Sequence, residues 1–113
     1  MTKPAGWIDE VAEQLLDIGE SLGGRTGHMF GHPALYAGRR LAACAYGHGI
    51  ALKLPAKRVD ALRSDGRATT FKPYGKPAMA QWAHLKADTR QHVIDHADII
   101  AEALAYVDEQ DEP

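Results

Sequence analysis

Hydrophobic residues change their spacing along this 113-residue chain, and that change constrains the fold more than any other feature. From residue 7 to residue 22 they recur at the three- and four-residue spacing of an amphipathic helix, and Gly23 follows as a helix stop. From residue 50 to residue 54 they alternate, with Ile50, Leu52 and Leu54 on one side. The sequence therefore predicts an N-terminal helix followed by strands.

Three short strands are predicted between residues 34 and 54, with turns at Gly38 and at residues 47–49. A second helix follows, because Pro55 suits the first helical position and Gly66 lies just past the end. Residues 67–78 are interrupted by prolines and a glycine, which predicts a short strand and a turn. A further strand is predicted from Met79 to Leu85.

A closing helix is predicted to begin at Asp88, which forms a variant capping box with Gln91, and its apolar stripe ends at Val107. The predicted order is therefore α-β-β-β-α-β-β-α. This order favours an α+β two-layer domain, in which helices pack on an antiparallel sheet of about five strands. We expect one domain over residues 1–107 and a flexible acidic tail over residues 108–113.

Composition limits the compartment and the chemistry. Acidic residues interrupt the N-terminus before any long apolar run, and no stretch approaches the ~20 apolar residues of a membrane helix. Cys44 is the only cysteine, so a disulfide within one chain and a thiolate zinc site are excluded. We expect a cytoplasmic protein without a membrane contact. No nucleophile, base and acid share a catalytic spacing, so we expect no enzyme and no cofactor.

Charge is distributed unevenly. Residues 39–76 hold nine basic and two acidic side chains, whereas both flanking segments are acidic. This pattern is consistent with a surface for an anionic partner, and also with basic strands and acidic helices that neutralise each other in the fold. The second interpretation is favoured, because no alternation of basic and aromatic residues accompanies the charge. The candidate anion-binding residues are Arg39, Arg40, Lys53, Lys57, Arg58 and Lys76.

Two histidine pairs have a spacing of four residues. His28 and His32 lie in "GHMFGHP", where glycines and a proline disfavour a helix, so this pair is interpreted as the entrance to a strand. His92 and His96 lie in the closing helix, where the same spacing allows two imidazoles to share an ion. They are the weak metal candidates. The favoured interpretation places them at the solvent edge or between helices.

Four motifs in order resemble the N-terminal domain of the bacterial competence regulator TfoX and the related YjbR-like small proteins. They are "HMFG", "LYAGRRLA", "GIALKLP" and "FKPYGKPAMAQWAHL", and with the closing helix they span about residues 25–107. The motif residues are Met29, Phe30, Gly31, Gly38, Pro73, Gly75, Pro77 and Trp82. Ala78 is an insertion relative to the family pattern.

The resemblance implies an α+β fold like that of type III secretion chaperones. It also implies that Met29 and Phe30 pack in the interior where the chain enters the sheet, while Gly31 bends the backbone. No agreed reaction or catalytic residue comes with it. We therefore expect a non-enzymatic binding or regulatory domain, with a role in transcription or competence, that contacts another protein or a second copy of itself. The alternative is weak nucleic-acid binding through residues 39–76.

Overall fold

A computed structural model of the chain describes residues 6–72 and 79–110. It confirms the α+β class: one open antiparallel sheet carries helices, and the described part of the chain holds six strands and four helices. The elements are α1 (Asp9–Ser21), β1 (Arg25–Met29), β2 (His32–Ala37), β3 (Arg40–Ala45), β4 (Gly49–Lys53), α2 (Ala56–Ser64), β5 (Thr69–Thr70), β6 (Trp82–Lys86), α3 (Arg90–Asp95) and α4 (Ala97–Gln110).

The strand order across the sheet is β1-β2-β3-β4-β6-β5. Strands β1 to β4 form a meander in which each strand pairs with the next. Strand β6 then adds beside β4, and the two-residue β5 pairs along its outer side. The outermost strands are therefore β1, which is five residues long, and the much shorter β5.

The two faces of the sheet differ because successive side chains of a strand point to opposite sides. One face carries Leu35, Ile50 and Leu85, and it packs against apolar residues from all four helices to form the main core. The other face carries small residues from the central strands, Ala34, Cys44 and Ala51, packed with Phe71 and Trp82. Within the described residues, no helix side chain belongs to this second cluster.

The sixth strand, β1, was not predicted, and the interpretation of "GHMFGHP" as a strand entrance is only half of the arrangement: His32 and Pro33 begin β2, but Gly27, His28 and Met29 end β1. These residues form the tip of a β-hairpin, in which Met29 pairs with His32. Phe30 has φ 51° and Gly31 has φ 83°, as the type I′ turn requires at both central positions. The expected bend at Gly31 is present, whereas Met29, expected to pack in the interior, is half-buried against the second cluster. The implication of the resemblance for Phe30 is wrong, because that side chain is 82% exposed.

The predicted closing helix is two helices, because the backbone leaves the helical conformation at His96 (φ −101°, ψ 10°). The cap also differs from the prediction. The hydroxyl oxygen of Thr89, and not Asp88, accepts a hydrogen bond from the N–H of His92. Helix α4 continues to Gln110, three residues into the predicted acidic tail, while residues 111–113 lie outside the described chain.

Candidate functional site: a cationic pocket at one end of the sheet

The strand order brings two of the predicted anion-binding residues together. Arg40 begins β3 and Lys53 ends β4. Because β3 and β4 are antiparallel neighbours, the start of one and the end of the other lie at the same end of the sheet. Trp82 begins β6 and pairs directly with Lys53. Three strands thus deliver two cations and an indole to one place.

These residues line an open pocket of ≈290 Å³, which we call the cationic pocket. Its lining is completed by Leu41 on β3 and by two residues near the end of α4. The full lining is Arg40, Leu41, Lys53, Trp82, Val107 and Gln110. The chemistry is therefore that of two positive charges and an amide beside an apolar wall, with no acidic side chain in the lining.

Lys53 is half-buried, and no described acidic side chain forms an ion pair with it. A partly desolvated ammonium group without a carboxylate partner attracts an anion more strongly than a fully hydrated one does. Trp82 is 6% exposed, so its ring forms a wall of the pocket and not an open stacking platform. The pocket suits an anionic group attached to an apolar body.

The remaining candidate cations do not join this pocket. Arg58 on α2 makes a two-pronged contact with Glu102 on α4, with Nε at 2.8 Å from Oε1 and an Nη at 3.0 Å from Oε2. The hydrogen bonds to the Glu102 carboxylate raise the pKa of Arg58 above its usual value. Arg39 lies exposed in the turn between β2 and β3, and Lys57 lies exposed on α2. Lys76 lies outside the described residues.

Other arginines of the basic segment also contact acidic residues. Arg63 lies 3.8 Å from Asp60 within α2, and Arg67 lies 3.7 Å from Asp98 on α4. The contacts of Arg58 and Arg67 with acidic residues of α4 agree with the interpretation that basic and acidic segments neutralise each other across the fold. The positive charge along α2 is thereby partly neutralised, whereas the lining of the cationic pocket contains no acidic side chain.

Neither histidine pair forms a shared ligand set. The imidazole of His92 accepts a hydrogen bond from the backbone N–H of Asp88 through Nδ1 at 3.0 Å. His96, at the break between α3 and α4, donates through Nε2 to the carbonyl of Lys86 at 3.1 Å. No group of three His, Cys, Asp or Glu side chains suited to a metal ion occurs in residues 6–72 and 79–110.

His28 and His32 pair with different neighbours in the hairpin, His28 with Pro33 and His32 with Met29, and their side chains leave the sheet on opposite faces. His32 is 3% exposed, and its Nδ1 donates to the carbonyl of Ala45 at 2.9 Å. His28 is exposed. The four-residue spacing of His28 and His32 therefore reflects the hairpin and not a shared ligand site. The imidazole of His32 is buried under the second face, and that of His28 is in solvent.

Cys44 lies in the central strand β3 with no exposed surface. Burial raises the pKa of its thiol to about 12, because a thiolate would be deprived of water. The thiol therefore stays protonated at neutral pH, which suits a small core residue and not a nucleophile.

The motif residues Pro73, Gly75 and Pro77 lie outside the described part of the chain, whereas Gly38 adopts φ 61° in the turn between β2 and β3. The contributions of Leu41, Val107 and Gln110 to the pocket were not predicted. Leu41 follows Arg40 directly in the chain, but the approach of Val107 and Gln110 depends on how α4 packs, which no local sequence pattern predicts.

Comparison of the chain with protein-family models finds no match, and a search of curated proteins finds no similar sequence. No helix in the two described ranges has both the length and the apolar character needed to cross a membrane.

Proposed function

We propose that this protein is a small, non-catalytic binding domain of the TfoX N-terminal kind, and that it captures an acidic segment of a partner protein at the cationic pocket. The observation that supports this most directly is the convergence of Arg40 and Lys53 beside Trp82. A carboxylate of the partner contacts the two cations. An apolar side chain next to it in the partner sequence packs on Leu41 and Val107.

A protein segment fits this arrangement better than nucleic acid does. A phosphate backbone needs a cationic track that spans several nucleotides, together with exposed rings on which bases stack. Here Arg58 is held by Glu102, Arg63 and Arg67 lie beside carboxylates, and Trp82 is almost fully covered. One compact positive site with an apolar wall is suited to a short peptide motif.

A regulatory role in the bacterial cytoplasm is part of the same proposal. It rests on the resemblance to the TfoX N-terminal domain, and on the lone, buried Cys44, which suits a reducing compartment. Catalysis is not proposed.

The test is a polarisation titration with a labelled peptide in which glutamate and leucine alternate. The protein is wild type, Lys53→Glu or Lys57→Glu, the last being a matched charge reversal on the exposed face of α2. We expect Lys53→Glu to weaken binding about tenfold or more, since it replaces an attraction by a repulsion at the pocket. Lys57→Glu is expected to stay within about twofold of wild type.

A second peptide carries glutamine in place of every glutamate, and it is expected not to bind. Equal weakening by the two variants would show that the response is to net charge, which would overturn the pocket as the site. Tight binding of a single- or double-stranded oligonucleotide in place of the peptide, lost in Arg39→Glu/Arg40→Glu, would establish the nucleic-acid alternative.

A further inference from the structure

An edge strand and an exposed phenylalanine point to a second contact surface, on the side of β1 that faces away from β2. Strand β1 is the edge of the sheet, so every second residue directs its backbone N–H and C=O outward. The hairpin is closed by the Met29–His32 pair next to a two-residue turn, and such a closing pair exchanges hydrogen bonds. By alternation, Thr26 and His28 direct their backbone groups away from β2.

Phe30 stands at the tip of this hairpin. A bulky side chain is disfavoured at positive φ, where the type I′ turn selects Asn, Asp or Gly. Phe30 nevertheless adopts φ 51° with 82% of its surface in water. A largely exposed ring at the tip of a hairpin is suited to insertion into a neighbouring molecule.

A pocket of ≈240 Å³, which we call the Leu22 pocket, lies at the opposite end of β1. It is bordered by Leu22, Gly23 and Gly24, which lead into β1, by Ala101, Leu104 and Ala105 of α4, and by one acidic residue of α4, Asp108. Leu22 is itself 47% exposed. An apolar cavity of about 150 Å³ holds a benzene ring, so this pocket has room for a phenyl group.

We propose that two copies of this chain associate through β1, with the strands antiparallel across a two-fold axis and Phe30 of each copy seated in the Leu22 pocket of the other. When β1 pairs antiparallel with β1 of a second copy, the end that carries Phe30 lies beside the end that borders the Leu22 pocket of the other copy. The two-fold axis repeats this contact, so the dimer contains it twice. Such self-complementarity defines an isologous dimer, and it favours a second copy over an unrelated partner. The proposal is independent of the cationic pocket.

Two contacts around β1 are compatible with this pairing. The hydroxyl of Tyr36 donates to the carbonyl of His28 at 2.6 Å, but a carbonyl oxygen has a second lone pair for a strand in the other copy. Arg25, although exposed, is engaged within its own chain, because its guanidinium donates to the carbonyl of Gly38 and lies over the ring of Tyr36.

The test is sedimentation equilibrium over a range of protein concentrations. We expect wild type to approach twice the 12.3 kDa chain mass as concentration rises. Phe30→Asn suits the turn and is expected to stay at the mass of one chain. Ile94→Gln removes another exposed apolar side chain, on α3, and is expected to associate like wild type.

Amide hydrogen exchange separates this arrangement from other dimers. The amides of Thr26 and His28 are expected to become protected as concentration rises, while those of Arg25 and Gly27, which face β2, are protected throughout. A wild-type mass of one chain at every concentration would overturn the proposal. So would equal loss of association in Phe30→Asn and Ile94→Gln, or association without protection of Thr26 and His28.

Discussion

Replacing Phe30 by asparagine is predicted to stabilise the fold although it removes a large apolar side chain. The backbone at this position has φ 51° and is followed by Gly31 at φ 83°. A left-handed conformation costs an ordinary L-residue roughly 1–2 kcal/mol, and asparagine tolerates it far better. Since the ring is 82% exposed, little burial is lost. We expect the free energy of unfolding to rise by about 1 kcal/mol and the melting temperature by about 4 °C.

The assay is urea unfolding followed by circular dichroism at a protein concentration low enough to keep single chains. The slope of the unfolding free energy against urea should not change, because the folded state buries the same surface. Phe30→Leu is the matched control: it keeps an apolar side chain at positive φ and is expected to stay within about 0.5 kcal/mol of wild type. Lower stability of Phe30→Asn than of wild type would show that the phenylalanine contributes to folding and would refute the reasoning.

Two further predictions concern the interior of the sheet. Gly49→Ala is expected to destabilise the fold by at least about 2 kcal/mol in the same assay, because the new Cβ would overlap the backbone carbonyl of Leu85 on the paired strand. Gly6→Ala is the control and should be close to neutral, because a Cβ there meets nothing within 4 Å. Similar destabilisation by both variants would contradict the predicted clash. Cys44, whose thiol pKa burial raises to about 12, is expected not to react with an aromatic disulfide reagent at pH 8 until urea unfolds the chain; rapid labelling of native protein would show that the thiol is accessible.

The elements with strong periodicity were predictable from sequence. Helix α1 and strand β4 follow directly from their apolar spacing, and the structure buries Val11, Leu15, Ile50 and Leu52 as that spacing requires. Strand β1 was missed for a physical reason. At the sheet edge its residues are exposed or half-buried, so its sequence, "RTGHM", shows no alternation of apolar and polar side chains.

The split of the closing helix was hidden because the apolar stripe continues across the break. Val93 on α3 and Ile100 on α4 both enter the main core, so the spacing of buried residues does not reveal the change in direction at His96. A local signal for the start of α3 was present in Thr89, whose hydroxyl caps the helix.

The cationic pocket was only partly predictable. Six basic residues were predicted from the sequence as candidates for anion binding. Of these, Arg40 and Lys53 lie together in the pocket, while Arg58 contacts Glu102. Antiparallel strand order is enough to bring Arg40 and Lys53 to one end of the sheet. The contact of Arg58 with Glu102 joins residues 44 positions apart, and depends on how α2 packs beside α4.

The most direct test of the proposed function is a nuclear magnetic resonance titration of the ¹⁵N-labelled protein with the glutamate–leucine peptide. We expect the largest shift changes on the backbone amides of Lys53 and Val107 and on the indole N–H of Trp82, and we expect Lys53→Glu to abolish them. Changes centred on the exposed face of α2, around Lys57, or no changes at millimolar peptide, would contradict the assignment of the cationic pocket as the binding site.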